Sequence, residues 1–434
     1  METLLTSRPS VGSARAIARS IREGRATAEA VVSKSLERAA ASEAVLQAWH
    51  AFEPELALEQ ARRLDRQPAK GLLHGVPIAI KDLSDTSDLP TAYGSPVYRD
   101  HRPAMDAACV AALRAAGAVV LGKTATVEFG ASRPCATTNP HNPLHTPGGS
   151  SAGSAAVVAD GQVSLSTGTQ TGGSIIRPAA FCGVVGFKPT FGSIAVAGTK
   201  SYAWSLDTVG GFANSVADVS LLFEAMSGHE RSRFDESDCR PPRIGIFLGP
   251  FADVAAPSTV DALMRVAAAC SRAGATVREI DAPAIFRHTL EWQRAISRYE
   301  MGRSLLPETR AFSPEELGEV LLAEIRAGQA VPETSYIAAK AGASRLATEL
   351  QSLFADTDLL LALSTPGEAP FGLASTGDAT FCLGWSLLGL PTLNLPAGTG
   401  PQNLPLGVQL VGPRYGDECL LRFAAWVERV VSDA

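Results

Sequence analysis

Apolar positions fall in two patterns along this chain: helical spacing in some stretches, and short uninterrupted runs in others. Near the start, Ile17 and Ile21 lie one turn apart and Gly24 stops the run. Thr27 suits the N-cap of a second helix carrying Val31, Val32 and Leu36, so a packed helical pair is predicted over about residues 10–48. Val76 to Ile80 is a short apolar run ending at Lys81, read as a strand with Pro77 near its start or at a sheet edge. An Ala-rich helix capped by Asp106 and stopped by Gly117 precedes a buried strand at Ala118 to Leu121. The same unit recurs as helix Ser151 to Asp160, stop at Gly161 and strand Val163 to Ser166.

Ordinary helical patterning returns from about Phe234 to Phe354, with a strand at Ile244 to Phe247. The last eighty or so residues give an apolar run at Leu359 to Leu363, a Gly/Pro-punctuated stretch, a strand at Gly407 to Val411 and a closing helix. Alternation of this kind argues for an α/β fold with helices packed over a sheet. No linker or internal repeat divides the 434 residues.

Composition narrows the class. Hydrophobic residues make up 46% and charged residues 19%, inside the globular range. The formal charge of −6 comes with no basic stripe interleaved with aromatics, which excludes nucleic acid as a direct ligand. No stretch reaches the roughly 18 to 20 apolar residues needed to span a bilayer, and the N-terminus lacks a secretory h-region, so a cytoplasmic protein is expected. Seven scattered cysteines without a C-x-x-C pair read as buried thiols in a reducing compartment.

From about Gly122 to Gly211 the chain is rich in Gly, Ser, Thr and Pro and poor in amphipathic helix, which marks where backbone must approach a ligand closely. Two motif matches there fail on context. Residues 117–124, GAVVLGKT, fit the P-loop pattern, but their middle residues form the strand itself, and Lys123 is read as solvated or paired. Residues 149–153, GSSAG, fit the nucleophile elbow, but a loop precedes them and the last two histidines are His229 and His288.

What remains is a constellation without histidine: Lys81 at a strand end, Ser150 after two glycines, and Ser174 closing GTQTGGS. A lysine serves as base when burial lowers its pKa enough to keep it neutral. Gly172 and Gly173 beside Ser174 offer unobstructed backbone N–H groups of the kind an oxyanion hole uses.

Residues 148–192, with HGVPIAIKD (74–82), GAVVLGKT, SLDTVGGFANSVADV (205–219) and LPLGVQLVG (404–412), resemble the amidase signature family over roughly residues 10–430. Within it, GTQTGGSIIRPA, the 200–210 segment and ASTGD (374–378) are similar to malonamidase.

The resemblance implies one α/β domain over 1–434, a mixed twisted sheet covered by helices. Its parts would be the helical pair, a core at about 70–225, a helical excursion at about 235–355 and a return to the sheet at about 356–434. It implies a Ser-Ser-Lys triad of Lys81 as base, Ser150 as bridging serine beside a cis peptide and Ser174 as nucleophile. The N–H groups of Thr171, Gly172 and Gly173 would form the oxyanion hole, with Thr169 and Gly149 in support and Arg177 binding a substrate carboxylate.

Many members carry Asp where this chain has Gln170, and Arg where it has Ile176. The implied reaction is hydrolysis of a small, malonamate-like carboxamide through an acyl-enzyme, with no metal or organic cofactor and no membrane partner; a homodimer is left open. The alternatives are an amidotransferase A-type subunit delivering ammonia to a partner and an inactive binding protein on the same fold.

Overall fold

Eleven strands form one sheet in the computed structural model, which describes residues 10–131, 133–228 and 239–433. They are β1 (Trp49–Phe52), β2 (Pro77–Lys81), β3 (Val119–Thr124), β4 (Leu165–Gln170), β5 (Val185–Lys188), β6 (Thr208–Ala213), β7 (Arg243–Phe247), β8 (Thr276–Glu279), β9 (Leu359–Leu363), β10 (Thr392–Thr399) and β11 (Pro405–Val411). Their spatial order is β1-β3-β2-β4-β6-β5-β10-β11-β9-β7-β8. The sheet is mixed: β3, β2 and β4 run parallel, as do β9, β7 and β8, while the centre from β4 through β9 pairs antiparallel.

Side-chain alternation assigns the two faces. Ile78, Ile80 and Val120 pack on one side with Val110, Leu113 and Leu222. Ala79, Val119 and Leu121 pack on the other with Ala155, Val158 and Val32. Lys81 is two residues beyond Ala79 and therefore shares its face, under the helix Ala152–Ala159. That parity delivers the lysine to the segment that enters this helix, where Ser150 lies.

The helical pair forms at Ala14–Arg22 and Ala28–Leu46, and the Thr27 side chain accepts from the Ala30 N–H as its N-cap. Pro77 opens a strand in the sheet interior, where its missing N–H is tolerated at the first position. Several expectations are corrected. Asp106 does not cap a helix; Ala107 holds that position, while Asp106 accepts from Ser87 and pairs with Arg114. The strand expected at Val163 to Ser166 runs from Leu165 to Gln170, because its ladder with β6 extends to Thr208.

Strands β1, β5, β6, β8 and β10 escaped the pattern: β1 and β8 are four-residue strands at the two sheet edges, β5 and β6 lie in or beside the glycine-rich stretch, and the register of β10 breaks after Pro396. Lys123 is paired with Asp82 at 3.0 Å and is fully buried, so the solvated alternative falls. Of the cysteines Cys109, Cys182, Cys270 and Cys382 are buried, Cys135 and Cys239 are partly covered, and Cys419 is exposed. The start of the helical excursion, with His229, lies outside the described residues. No helix among the described residues is long and apolar enough to cross a membrane.

Candidate active site

Lys81 ends β2 with its Nζ 2.8 Å from Ser150 Oγ and 2.7 Å from Thr169 Oγ1, while its backbone N–H donates to Thr167 Oγ1 at 2.8 Å. Thr167 and Thr169 alternate along β4 and so present both hydroxyls to the same neighbour. Lys81 is completely buried, and burial pushes its pKa well below the ordinary lysine range, against the weaker attraction of Asp207 and Cys135. Thr169 thus contacts the lysine directly, where support of Ser150 was expected. The Gly149–Ser150 peptide is cis, as the resemblance implies.

Ser174 precedes the short helix Ile176–Cys182 and is half-buried; its hydroxyl has no hydrogen-bond partner among the described residues. Before it, three consecutive carbonyls are gripped from outside the loop. Thr171 O accepts from Gln293 Nε2 at 3.2 Å, Gly172 O from Ser386 Oγ, and Gly173 O from the Arg177 N–H at 2.9 Å. In a planar trans peptide the N–H points opposite the C=O. The grip therefore turns the N–H groups of Gly172, Gly173 and Ser174 the other way. These and the Thr171 N–H have no acceptor among the described residues. A Cβ on Gly172 would meet Leu383 Cδ2 at 2.9 Å, and one on Gly173 would meet Ala379 Cβ at 2.9 Å, so glycine lets the helix Thr380–Leu387 close over the loop.

A cleft of about 300 Å³ reaches Ser150, Thr169, Thr171 and Asp207, with Lys200 and Trp204 on its wall; Ser174 and the two glycines before it lie outside its lining. Asp207 accepts from Thr171 Oγ1, Ser201 Oγ at 2.9 Å and the N–H groups of Tyr202 and Ala203. Burial pushes its pKa up to about 6, against those four hydrogen bonds. Lys200 pairs with the buried Glu308.

Arg177 departs most from expectation. Its Nε and Nη2 donate to Gly149 O at 3.2 and 2.6 Å, and its Nη1 donates to Gly377 O at 2.6 Å. Arg177 as a residue is 9% exposed and, like Ser174, is absent from the cleft lining. Gln170 sends Oε1 to the N–H groups of Ile175 (2.8 Å) and Ile176 (3.0 Å) and Nε2 to Ser386 Oγ (2.9 Å). His288 stacks on Trp292 and hydrogen-bonds neither serine among the described residues. Those residues contain no cluster of His, Cys, Asp and Glu fit for a metal. Sequence reasoning missed Asp207, Gln293 and Ser386 as members of the site; only Asp207 lies inside a recognisable motif, SLDTVGGFANSVADV.

This fold and site define an amide-hydrolysing α/β enzyme, and residues 30–421 match the Amidase family, to which the chain belongs. Curated relatives include the A subunit of glutamyl-tRNA(Gln) amidotransferase from Cyanothece sp., 32% identical over 92% of this chain and 93% of the relative. Its counterpart from Thermus thermophilus is 35% identical over 88% and 89%. Among solved structures, one described as an amidase is 31% identical with a TM-score of 0.86, covering 96% of this chain and 99% of that one. The peptide amidase of Stenotrophomonas maltophilia is 28% identical with a TM-score of 0.82, over 97% of each chain. The malonamidase likeness rests on three short segments alone. Both amidotransferase A subunits, by contrast, match over about nine-tenths of the chain.

Proposed function

We propose that Lys81, Ser150 and Ser174 form a proton relay that cleaves a primary carboxamide through an acyl-enzyme. The observation that carries this is the 2.8 Å contact of Ser150 Oγ with a fully buried lysine. A neutral amine has one lone pair for the Ser150 proton and can donate to Thr169 Oγ1. Ser150 then takes the proton of Ser174 as its oxygen attacks the amide carbonyl. The N–H groups of the 171–174 loop receive the charge that develops on the carbonyl oxygen. Ser150 returns the proton to the departing nitrogen, ammonia leaves, and water repeats the sequence on the ester.

At the level of substrate, the amidotransferase relatives support an A-type subunit, which hands its ammonia to a partner protein, over a malonamate-specific hydrolase. The contacts of Arg177 support the same preference, because all three of its nitrogens already donate to the backbone carbonyls of Gly149 and Gly377. We read Arg177 as holding the peptide that carries Ser150.

The test is ammonia release by the purified chain from glutamine, malonamate and neutral amides, for wild type and Ser174→Ala. The variant should release none and form no acyl-enzyme. Retained turnover in it would remove Ser174 as nucleophile. Efficient malonamate-selective turnover by the wild type would restore the hydrolase.

A further inference from the structure

We propose that Gln170 and Ser386 are paired positioning residues that aim the Gly173 N–H, and that glutamine stands at 170 because of the direction in which the Ser386 proton points. The proposal rests on the reading of residues 171–174 as the oxyanion loop.

Backbone N–H groups only donate, so the Gln170 atom facing Ile175 and Ile176 is the carbonyl Oε1, and Nε2 faces Ser386 Oγ. A carbonyl only accepts, so the single proton of Ser386 goes to Gly172 O. The serine oxygen must then accept from Gln170. Donation runs one way, from amide N–H to hydroxyl to carbonyl, and ends on the Gly172–Gly173 peptide. Ser386 is buried at 3% exposure, and Gly172 and Gly173 are what let its helix come so close.

A carboxylate at 170 keeps the acceptor for Ile175 and Ile176 but turns a second acceptor toward Ser386. The hydroxyl must then swing its proton from Gly172 O to the carboxylate. The peptide loses its anchor, and with it the aim of the Gly173 N–H.

The experiment compares Gln170→Glu, Ser386→Ala and the double variant with wild type, on one amide and one boronic acid that forms a tetrahedral adduct with serine. Each single variant should lose at least about tenfold in kcat with KM within about threefold, since a misaimed donor costs less than the 10²–10³ of a deleted one. Boronate affinity should fall in step with kcat, which a merely structural loss would not produce. The double variant should be no worse than Ser386→Ala, because both changes break one chain of donation.

Wild-type kcat in either single variant would overturn the proposal, as would multiplying losses in the double variant or boronate affinity that does not follow kcat. If Gln170→Glu fails to fold, Ser386→Ala decides alone on kcat and boronate affinity. Failure of the nucleophile reading shows separately, as activity in Ser174→Ala.

Discussion

Replacing Arg177 by Met keeps an unbranched apolar stem and removes every donor, so its effect follows from the hydrogen bonds that the guanidinium makes. Gly149 O gives up two donors in a buried setting, and stranding such a carbonyl costs about 1–3 kcal/mol. Gly377 O gives up one where the bond is only part-buried, which adds about 1 kcal/mol because water can replace the donor. Burial disfavours the Arg177 charge, and Asp378 compensates only in part because the buried Cys382 thiol, pushed up to about 12, stays neutral; relief of that cost trims the total to about 2–3 kcal/mol.

The Gly149 carbonyl belongs to the peptide that carries Ser150, so the loss should reach catalysis as a fall in kcat/KM of roughly 30- to 160-fold. The assay is ammonia release from malonamate and from propionamide in parallel. A guanidinium that holds backbone gives equal losses on both. A guanidinium that reads substrate gives a loss confined to malonamate, and that result would refute the reasoning.

Activity should rise from acid toward neutral and alkaline pH as Lys81 loses its proton, with the acid limb well below the ordinary lysine range; a maximum near pH 5 would contradict a neutral lysine base. Lys188 is buried, donates to Pro189 O at 2.8 Å, and has its pKa pushed from 10.5 down to about 7. Between those values the unfolded chain holds a proton the folded chain lacks, so stability rises with pH by up to about 1.4 kcal/mol per unit, and below about 7 this slope vanishes. Lys188→Met should flatten urea stability measured from pH 7 to 9 by that amount; an unchanged slope would remove Lys188 as its source. Lys123→Met leaves the buried Asp82 carboxylate to the Ala92 and Gly94 N–H groups, with His50 Nε2 3.9 Å away, and should cost about 3 kcal/mol in urea unfolding. A cost below about 1 kcal/mol would show that the backbone donors suffice.

The sequence pattern located the elements whose burial is set locally. Ile78 and Ile80 against Ala79, and the apolar run Leu359 to Leu363, are legible because period-two alternation or continuous apolarity is itself the burial. β10 is not, since Pro391, Pro396 and Gly398 read as loop until β5 and β11 supply ladders on both sides. The Asp106 cap failed for a related reason: a carboxylate before a helix serves the cap only when no better partner is near, and Ser87 and Arg114 are brought to it by folding.

The same division runs through the site. The segment GTQTGGS holds the N–H donors and Ser174, and Lys81 announces itself by ending a buried strand, so these were legible. The aim of those donors was not, because a peptide is oriented by what grips its carbonyl. Gln293 and Ser386 grip Thr171 and Gly172 from 122 and 214 residues away, and Arg177 reaches Gly377 across 200. Reading Arg177 as a carboxylate binder was reasonable chemistry for a guanidinium near a nucleophile. In the structure two backbone carbonyls, one carried in from residue 377, take three of its five N–H groups, and only folding brings them there. A motif thus specifies which groups can react, and the long-range contacts specify where they point. In this chain Gln170 is where the two meet: a motif position whose residue type makes sense only once Ser386 stands beside it.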